Sequence, residues 1–220
     1  MEGALNTLSE HGIAKTSARS VAAAAGVNQA LVFYHFGSVD ELLAAACRYG
    51  AEQRVARYRD RLASVSSLTE LLQCGRELHA EERAGGHVAF LAQLLAGAQT
   101  QPRLAQATAA GLKLWTDEIE KVLTRVLGCT VLADFTDPAG LARTVAASFV
   151  GLELYEGVDH DGAEQALDAL EQLATLVNVL EELGPVAQRT VRHRIRHTMR
   201  RTSTSRAVKD EQGPRIRRPD

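Results

Sequence analysis

No run of about 18 uninterrupted apolar residues, the length a helix needs to cross a bilayer, occurs in this 220-residue chain. Met1–Gly12 has neither the basic start nor the apolar stretch of a signal peptide, so secretion and membrane spanning are not expected. Cysteine is scarce: Cys47, Cys74 and Cys129 lie far apart, odd in number and without a CxxC pair. That argues against a disulfide framework or a zinc site and fits a reducing, cytoplasmic setting. Only five prolines occur, mostly where helices should begin or end, and no segment alternates as a half-buried strand does. Enzyme signatures are missing as well, with no supported Ser-His-Asp or Cys-His arrangement, no phosphate-cradling glycine loop and no HExxH. Glu153 and Glu156, or Asp159-His160-Asp161, could serve as acid–base groups, but charge near helix ends explains them more simply. No enzyme, cofactor or metal is expected.

The composition is that of a folded chain, 45% hydrophobic and 24% charged. Its length allows one sizeable core plus a small satellite domain. The net charge of -2 hides an asymmetry. Residues 1–184 hold 14 Lys and Arg against 24 Asp and Glu, a balance of -10, while residues 185–220 hold 11 against 3, a balance of +8. The body is acidic and the tail is suited to phosphate, on nucleic acid or an anionic lipid surface.

Helical periodicity dominates and predicts an all-α protein. Short helices are expected at about 2–11, 17–24 and 28–34, with Gly12 and Gly26 as breaks. Capping boxes at Ser38-Val-Asp-Glu41 and Ser67-Leu-Thr-Glu70 predict longer helices to about Ser64 and residue 82. After Gly85-Gly86 come an apolar stretch at 88–97 and helices at about 103–127 and 138–157, the last two led by Pro102 and Pro138. Asp161 is expected to cap a helix over 162–183, ending at Gly184-Pro185. That helix carries Ala163, Ala166, Leu167, Leu170, Leu173, Val177 and Leu180 at spacings of three and four, opposite Glu164, Asp168, Glu171 and Glu182. One side of it must be buried.

Residues 16–36 form the most specific pattern: a capped helix, a turn at Gly26 and a second helix capped by Asn28. Thr16-Ser17, Val21-Ala22, Ala25-Gly26-Val27, Val32-Phe33-Tyr34-His35-Phe36 and Asp40-Glu41-Leu42 closely resemble the signature of the TetR family of transcription regulators. The resemblance covers some forty residues. It implies a three-helix helix-turn-helix DNA-binding domain over 1–46, followed over 47–184 by a larger helical domain for effector binding and dimerisation. It places Asn28, Gln29, Ala30, Leu31 and Tyr34 toward the major groove, and Ser17, Arg19 and His35 nearer phosphates. Val21, Ala22, Val27, Val32 and Phe36 would be core. Asn and Gln can pair with adenine and apolar side chains can touch a thymine methyl, although Asn28 could equally serve only as a cap. The chain departs from the family where basic residues usually precede the first helix, where Phe33 replaces a tyrosine and where Val39 replaces a lysine. All three would touch phosphate. Met1 leads almost directly into the first helix, so a start further upstream is one reading.

The resemblance also implies a homodimer on a pseudo-palindromic double-stranded DNA operator, released by a small-molecule effector, with no membrane association. Leu141, Val145, Phe149 and Leu152, with Leu167, Leu170, Leu173, Val177 and Leu180, are the expected dimer interface; internal packing is the alternative. Phe90, Leu94, Trp115, Glu118, Phe149 and Tyr155 are the expected ligand-binding residues, aromatic rings beside a few polar groups suiting a largely apolar effector. Each could instead be plain core.

Outside the resemblance, Arg189, Arg192, Arg194, Arg196, Arg200 and Arg201 interleave with Val191, Ile195 and Met199, a pattern for a short basic amphipathic helix. The tail beyond Thr202 has the composition of a disordered segment. It is either an auxiliary DNA-binding arm or a solvated extension. His193 and His197 have metal-ligand spacing, but the arginines around them oppose a cation. A second functional class stays open: an effector-binding dimer that works through protein partners without specific DNA binding.

Overall fold

The computed structural model describes residues 1–12, 16–128, 130, 132–181, 186–187 and 189–198, with Ser9, Glu10, Leu180 and Glu181 described by backbone alone. The expected stop at Gly184-Pro185, Cys129, and the tail from Met199 onward lie outside these residues. Among the described residues the regular structure is entirely helical: α1 (Glu2–His11), α2 (Ala18–Ala25), α3 (Gln29–Phe36), α4 (Val39–Ser64), α5 (Leu68–Ala84), α6 (His87–Ala98), α7 (Pro102–Gly128), α8 (Pro138–Glu156) and α9 (His160–Glu181). Residues 189–198 are also helical, with Val191 and Ile195 half-buried and Arg192 and Arg196 beside Asp134.

Helix starts follow the capping chemistry, with local changes. Ser38 and Ser67 accept from the backbone N–H of Glu41 and Glu70, at 3.1 Å each. Neither box closes as expected. Glu41 turns to Arg103 on α7, and the Glu70 carboxylate takes the N–H of Ser66 rather than that of Ser67. A closed box forms instead at Ser17 and Ser20, opening α2. Asp159, not Asp161, caps α9, because the helix begins two residues earlier than expected and Asp159 then faces the N–H of Gly162.

The long helices α4 and α7, of 26 and 27 residues, run together as the spine. At about 1.5 Å per residue each is roughly 40 Å long. Gly111 permits their close approach, since a β-carbon there would lie 3.1 Å from that of Ala51. Two apolar cores hang on this spine. The first joins α1–α3 to the N-terminal part of α4 through Leu8, Val21, Ala22, Val32, Leu42 and Leu43, and includes Phe90 and Leu94 of α6. The second, at the opposite end, contains Leu62, Leu71, Val122, Leu123 and Val126, with Trp115, Leu141 and Val145 packed against it. Arg125 closes that end by donating to the carbonyls of Leu62 and Val65 at the end of α4. The expected domain boundary at residue 46 falls inside α4, which continues unbroken.

Glu118 ties α7 to α4, accepting from Arg59 Nε at 3.1 Å and Lys121 Nζ at 2.9 Å. Burial opposes its charge, but the hydrogen bonds from Lys121 and Arg59 outweigh it and hold the carboxyl below its ordinary value of 4.5. A depressed carboxyl stabilises the fold above the unfolded pKa and loses that contribution as pH falls through the folded one. Glu118→Gln should therefore cost about 1 kcal/mol near neutral pH and converge with the parent as pH falls through the depressed carboxyl pKa, as followed by urea unfolding at several pH values. A constant difference across that range would show that charge is not what Glu118 contributes.

Candidate functional site

The helix-turn-helix is set by three local features. The Ser17 side chain accepts from the N–H of Ser20, Gly26 takes the left-handed conformation at φ 66°, and the Asn28 side chain accepts from the N–H of Ala30 at 2.8 Å. Of α3 only Val32 is buried. Gln29, Ala30, Leu31, Tyr34 and His35 are exposed on it, as are Ser17 and Arg19 at the start of α2. Asn28 is occupied as a cap, and the Ser17 hydroxyl is engaged in its box. Val21, Ala22 and Val32 are core and Phe36 packs against them, but Val27 is 41% exposed because the turn at Gly26 lifts it off the core. With Leu31 and Phe33, each more than 40% exposed, and Tyr34 at 83%, it makes an apolar outward surface that none of the described residues covers.

Between the two cores lies a cavity of about 1170 Å³, counted out to its open mouth. Phe90, Leu94, Trp115 and Phe149 line it. Glu118 and Tyr155 do not. Glu118 is held by Arg59 and Lys121, and Tyr155 is half exposed, its hydroxyl donating to Asp159. The polar lining is instead Arg54, Glu82, His87, Thr108 and Glu153. These were hard to find in the sequence because Arg54 and Glu82 sit among surface charges on α4 and α5, and only the crossing of the helices turns them inward.

The electrostatics divide into a satisfied part and an unsatisfied part. Glu82 accepts from the Tyr58 hydroxyl at 3.0 Å and lies 3.5 Å from Arg54 Nε and 3.3 Å from His87 Nδ1. Arg54 also lies over the Phe90 ring at 5.8 Å. Burial lowers the pKa of Arg54, and Glu82 works against that shift. Burial and the adjacent Glu82 push the Tyr58 hydroxyl up, so it remains a donor. His87 is lowered by burial and then by Arg54. The Cys47 thiol, also on the wall, is pushed up to about 11 by burial and is not a nucleophile. Glu153 is 7% exposed and lies 3.4 Å from His79, and burial raises its pKa against the opposing pull of His79 and Arg54. The Thr108 hydroxyl is buried with no hydrogen-bond partner among the described residues.

The expected interface residues divide by face. Leu141 and Val145 pack against the second core, Phe149 lines the cavity, and Leu152 and Leu167 face the crevice between α5, α8 and α9. The reason is that α9 docks on α5 through Ala163, Ala174, the Asn178–Thr69 hydrogen bond and the Arg76 pairs with Asp168 and Glu171, so α8 turns these side chains inward. Leu170 and Val177 are half-buried, Leu173 is 60% exposed, and the side chain of Leu180 is outside the described residues. The outward apolar surface consists of Leu154, Tyr155 and Val158 at the end of α8 and Leu173, Leu176 and Val179 on α9.

Residues 1–46 match the family model for bacterial regulatory proteins, tetR family. No curated protein matches the chain. Among solved structures, SCO7518 from Streptomyces coelicolor A3(2), described as a transcriptional regulator, is 25% identical with a TM-score of 0.63, covering 79% of this chain and 95% of its own. A regulator from Rhodococcus sp., described as TetR-family, is 23% identical with the same TM-score, covering 80% and 94%. The multidrug binding protein EbrR, seen with imidazole, is 26% identical with a TM-score of 0.56, covering 77% and 90%. The shared fold is an N-terminal helix-turn-helix followed by a larger helical domain.

Glu82 is the counter-charge of a buried arginine, and its removal leaves Arg54 uncompensated. Glu82→Ala should lower stability by roughly 3 kcal/mol in urea unfolding, far more than a surface carboxylate would. A midpoint unchanged from the parent would mean that Arg54 is solvated through the cavity rather than held by Glu82.

Proposed function

Because residues 1–46 match the model of the tetR family and the chain shares the fold of solved transcription regulators, we propose that it is a homodimeric, sequence-specific repressor released from its operator by a small molecule. One observation carries the ligand response. Cys47, Phe90, Leu94 and Ala107 belong at once to the wall of the cavity and to the core that holds α1–α3. A guest that displaces these side chains must also strain the seat of the DNA-reading helix, so occupancy and reader position are linked. The description of EbrR as a multidrug binding protein supports a small molecule as the guest.

The exposed face of α3 supports the reading of bases by Gln29, Leu31 and Tyr34, with Arg19 and His35 toward phosphate. Asn28 contributes through its cap, which fixes the start of the reading helix. Two such helices must meet half-sites about 34–36 Å apart or a multiple of that distance, which a dimer supplies. The outward apolar surface of α8 and α9 is the surface assigned to that dimer. The enzyme class has no support in the cavity, where the carboxylates face a buried arginine and a histidine rather than a nucleophile.

Fluorescence anisotropy with DNA from upstream of the chain's own gene, in the presence of unrelated duplex near physiological salt, tests specificity. Binding should survive the competitor. Combined Gln29→Ala and Tyr34→Ala should remove site preference while sedimentation still reports a dimer; retained preference would sink the assignment of α3. Conversely, Leu173→Glu with Leu176→Glu should give a folded monomer with at least tenfold weaker operator binding, and a persisting dimer would move the interface elsewhere. No preference for any upstream fragment would favour a dimer that works through protein partners.

A further inference from the structure

We propose that the cavity takes an amphipathic organic monocation, an apolar and preferably aromatic body bearing one protonated amine, with Glu153 as its counter-ion and Thr108 as a second polar contact. The inference rests on the cavity being the effector site.

The charges that line the cavity are Arg54, Glu82 and Glu153, a balance of -1 with histidines neutral. Arg54 and Glu82 face each other, and Glu82 has Tyr58 and His87 besides. Among the described residues Glu153 has His79 within ion-pair distance and, beyond it, the field of Arg54, which is itself paired to Glu82; His79 is shared, its other ring nitrogen meeting Glu156, which also holds Arg83 and His160. With Arg54 ion-paired to Glu82 and His79 shared with Glu156, Glu153 is the lining carboxylate with the weaker compensation and the one a guest cation can complete. A guest carboxylate would meet Glu153 as a like charge and compete with Glu82 for Arg54. A neutral guest would bury Glu153 further without a partner.

Two independent features point the same way. The walls carry Trp115 and Phe149 besides Phe90, whose ring already lies under Arg54, and aromatic walls attract a cation. Thr108 holds a buried hydroxyl, without a hydrogen-bond partner among the described residues, beside the cavity, where a turn of its side chain would bring it to a guest ammonium or ether oxygen. Since Trp115 is the single tryptophan of the chain, its emission reports occupancy directly.

The test titrates the full-length chain with three probes of one apolar body, phenylbutylamine, phenylbutanol and phenylbutyrate, near neutral pH with Trp115 emission as the readout. The amine should bind about tenfold or more tighter than the alcohol, and the butyrate weakest, a difference of about 1.4 kcal/mol or more. Glu153→Gln should reduce the amine's advantage to under about threefold while binding the alcohol at least as tightly as the parent does, which also shows that the variant is folded. Thr108→Val should weaken the amine by about threefold. Equal or tighter binding of the alcohol or butyrate, or an amine preference that survives Glu153→Gln, overturns the cation inference and leaves the cavity as an effector site. If none of the probes perturbs Trp115, the effector reading falls with it. Should Glu153→Gln fail to fold, the ranking of the three probes on the parent protein decides.

Discussion

The packing of α4 along α7 at Gly111 and Ala51 is the contact on which the other features depend. Each helix is long enough to pass from the DNA-binding end to the far core, so each end has its own apolar cluster and the middle is left to be filled by whatever side chains the crossing turns inward. Those are Arg54, Trp115 and Thr108 from the spine, with Glu82, Phe90 and Glu153 from the helices laid over it. They do not fill the space. An unfilled apolar interior loses dispersion contacts on its lining atoms, a cost that a guest of suitable shape recovers.

Burying Arg54 would be unfavourable in isolation, and Glu82, Tyr58 and the Phe90 ring make it tolerable. This arrangement leaves Glu153 as the less compensated group and so gives the cavity its polarity. It also connects the cavity to the reader, because Arg54 and Cys47 lie on α4 and Phe90 packs among the side chains that seat α1–α3. Chemistry at the cavity and geometry at the helix-turn-helix thus share the same few residues.

The helices were legible in the sequence wherever a local signal sufficed. Ser38, Ser67, Asn28 and Gly26 act within three or four residues of themselves, and the structure places helix starts and the turn beside them. Four of the six residues expected in the ligand site line the cavity because large aromatic and aliphatic side chains on central helices are buried almost regardless of detail. Glu118 and Tyr155 were expected there because a few polar groups beside aromatic rings suit a largely apolar ligand cavity. Arg59 and Lys121 hold the buried Glu118 off the cavity wall and Asp159 holds the half-exposed Tyr155, and none of these pairings has a sequence signature strong enough to predict.

Spacing along α8 and α9 determined that each helix has apolar residues recurring every three or four positions, but both carry more than one such stripe. Which stripe faces inward was decided by the docking of α9 on α5 through Asn178, Thr69 and Arg76, contacts between residues about a hundred positions apart. The sequence alone determined the all-helical class, the helix-turn-helix and its caps, because these depend on neighbours in the chain. The tertiary structure decided the polar lining of the cavity, the sharing of core between cavity and reader, and the outward face of the last two helices, because burial and charge pairing there are set by residues that meet only after the long helices cross.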